Sequence, residues 1–108
     1  MGFDWNELEP VLGKVYEEID EVIAEVKKEP QDASRIEDEL GDLLFSVVNL
    51  SRHLKQKPEQ ALNRACRKFE QRFRFVEKML SEKGTGIENA SLEEMEICWQ
   101  KAKGQPVE

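Results

Sequence analysis

The sequence predicts an all-α fold, a helical bundle of three long helices plus a shorter C-terminal helix, completed by dimerisation. Three observations lead there. Apolar residues recur at three- and four-residue spacing through three long stretches, the period of a helix with one buried face. Pro30, Pro58, Gly84-Thr85-Gly86 and Gly104 with Pro106 fall between or after those stretches, where helices stop and start. Hydrophobic residues make up 39% of the chain and charged residues 36%, a mixture expected of soluble, helix-rich proteins.

The first helix is expected from about Asp4 to Lys28. Asp4 can cap it, and Leu8, Leu12, Val15, Ile19, Val22, Ile23 and Val26 form its apolar stripe before Pro30 ends it. On a helical wheel Glu18 falls on the edge of that stripe and Glu21 slightly further round, whereas Glu17 points away from it. A solvated charge run has no reason to border a core, so Glu18 is singled out.

The second helix should start after a short polar link, capped by Asp32 or by Ser34, which with Glu37 could form a capping box. Its apolar positions Ile36, Leu40, Leu43, Leu44, Val47, Val48, Leu50 and Leu54 cover a wide arc, with Phe45 on the opposite side. A helix so apolar needs cover on more than one side, and in a chain this short that points to a partner subunit. Glu39 and Asp42 occupy the narrow polar strip that remains, in line with Arg35, Ser46 and Asn49. Carboxylates there are costly unless paired or coordinated.

A third helix should run from near Pro58, a favourable first-turn residue, to about Glu82, with Leu62, Ala65, Cys66, Phe69, Phe73, Val76 and Leu80 as its core stripe. Lys68 and Arg72 lie beside the stripe at i, i+4. Gly84-Thr85-Gly86 lacks the Lys-Ser/Thr ending of a P-loop and reads as a plain turn. Ser91 with Glu94 offers a capping box for the last helix, which carries Leu92, Met95, Cys98 and Trp99. Trp99 can serve packing or a stacked base, and its spacing favours packing. Cys66 and Cys98 form no close-spaced pair and read as reduced thiols in or near the core.

Composition narrows the function. A chain of 108 residues forms one domain, 1–108, with a modest core that gains from self-association. The formal net charge of −7, without a basic patch, argues against nucleic acid. No apolar run is long enough for a bilayer and no signal-peptide pattern is present, so the reading is cytoplasmic, with no membrane partner.

The chemistry concentrates in two acidic pairs, Glu18 with Glu21 and Glu39 with Asp42, each spaced i, i+3. That spacing stacks two side chains on one helix face about one turn apart. Two such helices packed antiparallel would aim four acids at one place. Bare carboxylates packed together repel, so a proton or a cation must sit among them, and a hard divalent ion, Mg²⁺ or alternatively Mn²⁺, suits an all-oxygen donor set.

These residues resemble a known family. The run Glu17-Glu18-x-x-Glu21, followed eighteen residues later by Glu39-x-x-Asp42 within Arg35-Ile36-Glu37-Asp38-Glu39-Leu40-Gly41-Asp42-Leu43-Leu44-Phe45, is similar to that of the MazG nucleoside triphosphate pyrophosphohydrolases. So are Asn49-Leu50-Ser51-Arg52-His53-Leu54 and Lys68-Phe69-Glu70-Gln71-Arg72-Phe73. The resemblance covers nearly the whole chain and is closest to the C-terminal, catalytically competent domain of tandem members. It implies an all-α fold that dimerises, and an excised domain beginning at Met1-Gly2-Phe3. It also implies Mg²⁺-dependent cleavage of nucleoside triphosphates to monophosphate and pyrophosphate. By the same resemblance Glu18, Glu21, Glu39 and Asp42 would be metal ligands, and Lys14, Glu17, Glu18, Arg35, Ile36, Glu37, Asp38, Lys68 to Arg72 and Trp99 would approach the nucleotide. Cys66 departs from the pattern, where a polar residue such as Asn is expected.

Hydrolysis between the α- and β-phosphates needs neutralised phosphate charge, an aligned water and a stabilised leaving group. No His or Cys nucleophile presents itself, so direct attack by water is the simplest route, with Glu17, Glu21 or Asp38 to accept the proton. Lys68 and Arg72 would meet the charge on the leaving pyrophosphate. The alternatives are a narrower all-α pyrophosphohydrolase acting on dUTP or phosphoribosyl-ATP, a non-catalytic helical dimer, and a di-iron bundle. The last requires Glu-x-x-His, and His53 has Leu50 at the required position.

Overall fold

The computed structural model describes residues 2–106 and contains four α-helices. They are α1 (Trp5–Val26), α2 (Ala33–His53), α3 (Pro58–Glu82) and α4 (Leu92–Lys103), with a single 3₁₀ turn, Ile87–Asn89, before α4. No strand occurs among the described residues, so the expected all-α class and all four helices are borne out. By their contacts the helices form two units, one up to Pro58 and one from Glu59 onward.

In the first unit α1 and α2 pack against each other across a six-residue connection, 27–32, which turns the chain back antiparallel. Asp4 caps α1 by accepting from the Asn6 amide at 2.9 Å. Asp32, rather than Ser34, caps α2. Its carboxylate accepts from the Ser34 amide at 3.0 Å, the Ser34 hydroxyl at 2.8 Å and the Arg35 amide at 3.4 Å. Those bonds, the hydroxyl one foremost, hold the Asp32 carboxyl below the usual carboxylate range. Ser34 therefore lies inside the helix, and the Ser34–Glu37 capping box is not formed. Asp32 takes the cap because its Oδ1, one residue before the helical backbone begins, reaches the amides of both Ser34 and Arg35.

The half-buried apolar positions are Leu8, Val11, Leu12, Val15 and Val22 on α1, and Ile36, Leu43 and Leu50 on α2, with a seven-residue recurrence at Leu8, Val15 and Val22 and at Ile36, Leu43 and Leu50. That recurrence is the seam of an antiparallel helix pair. The residues of α1 and α2 classed as buried are all polar: Glu18, Glu25 and Ser46. Ile19, Ile23, Val26, Leu40, Leu44, Phe45, Val47 and Val48 are exposed.

The second unit has an apolar core. Val76 and Leu80 of α3 pack with Cys98 and Ala102 of α4, flanked by Phe75, Met79, Ile87, Ala90, Met95 and Trp99. Gly84 takes a φ of +77° at the turn after α3, a left-handed conformation that glycine adopts without a Cβ clash. Ser91 accepts from the Glu94 amide at 3.1 Å while Glu94 accepts from the Ser91 amide at 3.2 Å, so the capping box of α4 forms as expected. The core is shorter than the sequence stripe. Leu62 is 64% exposed, and Ala65, Cys66, Phe69 and Phe73 are exposed as well, because within this unit α4 is short and covers only the later turns of α3. The reading of Cys66 as a core thiol is corrected accordingly, whereas Cys98 is buried and both thiols are free.

Candidate metal centre

Glu18 and the Glu39–Asp42 pair meet at the seam of the first unit. Each offers a carboxylate oxygen, and the three oxygens lie within 4.8 Å of one another. The sequence explains the meeting. Glu18 borders the α1 stripe, one turn from Val15 and Val22, while Glu39 and Asp42 flank Leu43 on α2. Glu18 is buried, Glu39 half-buried and Asp42 exposed, so the group opens toward solvent on one side.

The electrostatics of the group centre on Glu39. Burial, followed by the charges of Glu21, Asp42, Glu18 and Glu25, pushes its carboxyl above the usual range. Lys14 gives partial relief, reaching Glu18 at 3.1 Å and Glu17 at 3.5 Å. The bond to Glu18, with the charge of Glu17, holds the Lys14 ammonium above its usual range. One exposed ammonium set against this concentration of acid leaves a net negative site that a hard divalent cation fits in charge and donor type.

Of the four acids expected to converge, the structure brings three together. Glu21 is exposed and stands outside the group, yet among neighbouring charges it acts most strongly on Glu39. Glu17, Glu37 and Asp38 are exposed, Ile36 is half-buried, and Arg35 lies 3.8 Å from Asp32 on the surface.

Within the second unit Lys68 is half-buried, and Arg72 has a buried Nε without a hydrogen-bond partner. Arg72 borders a cavity of about 340 Å³ with Gln71, Arg74, Phe75 and Gln105. Trp99 is half-buried with its ring 5.5 Å from that of Phe69, which stacks in turn on Phe73 at 6.1 Å. These rings, with Val76, Met95 and Glu96, line an apolar cavity of about 330 Å³. The packing of Trp99 on Phe69 was not visible in the sequence, since it depends on how α4 crosses α3.

Convergent carboxylates from both helices of an antiparallel pair make an all-oxygen acidic cluster of the kind a hard divalent cation fits. Comparison makes the assignment particular. The model of the MazG nucleotide pyrophosphohydrolase domain matches residues 7–76, and the chain belongs to that family. It is 49% identical over 108 residues to the nucleoside triphosphate pyrophosphohydrolase of Escherichia coli (strain K12), covering all of this chain and 41% of that protein. Against the Thermotoga maritima nucleoside triphosphate pyrophosphohydrolase/pyrophosphatase MazG it is 44% identical over 104 residues, 96% of this chain and 39% of that one. A 65-residue stretch, 60% of the chain, is 42% identical to 13% of the uncharacterized protein YabN of Bacillus subtilis (strain 168). The chain thus spans about two-fifths of the length of the first two relatives.

Proposed function

We propose that this chain is a catalytic domain that hydrolyses nucleoside triphosphates to monophosphate and pyrophosphate with Mg²⁺ as cofactor. The observation that carries this reading is the convergence of Glu18, Glu39 and Asp42 within 4.8 Å, in a chain of the MazG family. Glu18, Glu39 and Asp42, with Glu21 at the edge, would hold the cation. The ion would neutralise phosphate charge and make water more acidic. Water attacks the α-phosphorus, the bond from that phosphorus to the bridging oxygen breaks, and pyrophosphate leaves with the bond's electron pair. Glu17, Glu21 or Asp38 accepts the water's proton; all three carboxylates are exposed, Glu17 beside Lys14. The roles that fit the second unit follow from its chemistry. Lys68 and the unsatisfied Nε of Arg72 suit phosphate oxygens, and the Phe69–Trp99 cavity suits a flat base. Arg35 and Lys14 are further cations for the triphosphate.

The domain works as a homodimer in this reading. An α1–α2 pair that exposes Leu40, Leu44, Phe45, Val47 and Val48 along one helix needs a partner surface of like character. Among the described residues no helix is long and apolar enough to cross a membrane, and two free thiols suit the cytoplasm.

The deciding experiment is incubation with each nucleoside triphosphate and Mg²⁺, with products resolved. Monophosphate and pyrophosphate are expected. Glu39→Gln should abolish their release while the helix content by circular dichroism stays intact. Orthophosphate as the product, or undiminished turnover by the variant, overturns the reading.

A further inference from the structure

Glu25 is the second buried acid of α1, and the fold satisfies only one of its two carboxylate oxygens. It is 8% exposed, and its Oε1 is buried without a hydrogen-bond partner. Its other oxygen is taken by Lys28, whose side chain is half exposed. Glu25 also sits in the last turn of α1, at the negative end of the helix, where the nearest basic residues, Lys27 and Lys28, lie beyond the last turn. Burial, an unsatisfied oxygen and the wrong helix end each disfavour a carboxylate there. An orphaned buried group in a native protein calls for an explanation, and an absent ion or water is one of the few available.

The helix geometry places Glu25 on the side of α1 that carries the candidate centre, about two turns beyond Glu18. It lies seven residues from Glu18 and four from Glu21, so the three acids share one face of α1. The antiparallel register sets Glu25 level with the start of α2. The amides of Ser34 and Arg35 there are already taken by Asp32, so the helix N-terminus does not satisfy Oε1. Side chains lean toward the N-terminus of their own helix, so on antiparallel helices Glu25 and Glu39 lean toward each other. The charge of Glu25 accordingly acts on Glu39.

We propose that Glu25 is a positioning residue of the cation centre: its free Oε1 accepts hydrogen bonds from the water shell of a divalent ion held by Glu18, Glu39 and Asp42. This inference rests on the reading of that group as a cation site. Divalent Mg²⁺ keeps several of its waters when bound by protein carboxylates, and outer partners of this kind change metal affinity by about 10–100-fold. The orphaned oxygen then has a donor, and the acid at the wrong helix end has a cation nearby.

The test is a Mn²⁺ and Mg²⁺ titration of the intact chain by calorimetry, with Glu25→Gln compared against Asp20→Asn, an exposed acid on the same helix. Glu25→Gln keeps the shape and removes the charge. It should weaken ion binding about 10-fold or more, leave the cation-free melting temperature unchanged or higher, and alter no helix content. Asp20→Asn should do none of these. Unchanged ion affinity in Glu25→Gln overturns the inference. A lowered cation-free melting temperature with unchanged affinity overturns it too, assigning Glu25 to a structural partner. Absence of ion binding by the unaltered chain overturns the cation site itself, and is distinguishable because it appears before any variant is compared.

Discussion

Replacing Glu18 with Gln should stabilise the cation-free protein and at the same time remove most of the stabilisation that Mg²⁺ brings. Glu18 and Asp42 offer oxygens within 4.8 Å. Unit charges at that separation repel by about 0.9 kcal/mol in water and about 3.5 kcal/mol at an effective dielectric of about 20. With Glu18 buried and Asp42 exposed, a value near the middle, about 2 kcal/mol, is appropriate. The substitution also forfeits the 3.1 Å pairing with exposed Lys14, but it removes the repulsion of Glu39 as well, whose oxygen lies within the same 4.8 Å, so only part of the gain is offset. A net gain of about 1 kcal/mol would raise the melting temperature by about 4 °C in a domain of this size. The cation acts in the opposite direction. At a concentration 100 times its dissociation constant an ion stabilises the native state by about 2.7 kcal/mol. If losing one carboxylate weakens binding by about 10–100-fold, the same ion concentration supplies only about 1.4 to 0.4 kcal/mol. Thermal melts followed by circular dichroism, with and without Mg²⁺, measure both quantities on one sample. A cation-free variant that melts lower than the parent, or a Mg²⁺ shift that survives intact, would show that these carboxylates do not share a site.

Glu39 gives the pH dependence. Its raised pKa means that, between the ordinary glutamate value and the raised one, the native chain binds more protons than the unfolded chain. Cation-free stability should therefore fall as pH rises through that window, and Glu39→Gln should flatten this part of the profile in urea melts. Protons and the cation compete for the same oxygens, so Mg²⁺ affinity should fall as pH drops through the same window, with proton release seen by calorimetry in buffers of different ionisation enthalpy. Lys68→Ala should weaken binding of a non-hydrolysable triphosphate analogue about 10-fold, the share of one charge-assisted contact, while Mg²⁺ affinity is unchanged. Equal losses in both would mark Lys68 as structural.

The helices could be read from sequence because their signals are local. Asp4, the Ser91–Glu94 box and Gly84 act through neighbouring backbone atoms, and the apolar period registers each long helix by itself. The stripe position of Glu18 likewise marked an acid turned inward, and it is buried. What the pattern could not carry is the extent of cover. Periodicity shows which face of α3 is apolar but not how far α4 reaches along it, so Cys66 and Leu62 read as core and are exposed. Periodicity also places Glu21 on the correct face without fixing whether its oxygen closes to within ion-sharing distance. Glu25 went unnoticed because a glutamate near a helix end, followed by two lysines, looks like an ordinary solvated turn. Only the folded structure shows it to be buried.

The seam of the first unit is only partly closed: its apolar residues are half-buried, and the side chains buried most deeply are polar. Its buried side chains are Glu18, Glu25 and Ser46, while Leu40, Leu44, Val47 and Val48 remain open to solvent. Apolar burial supplies most of the favourable free energy of folding, so a hairpin built this way draws little from its own seam. Two additions would correct that: a cation between the acids, and an apolar surface over α2. Each favours the same α1–α2 geometry, since a helix pair sheared out of register would separate Glu18 from Glu39 and also displace the exposed leucines from a partner. Ion binding and self-association would then reinforce one another through the register of a single helix pair, with no longer-range pathway required.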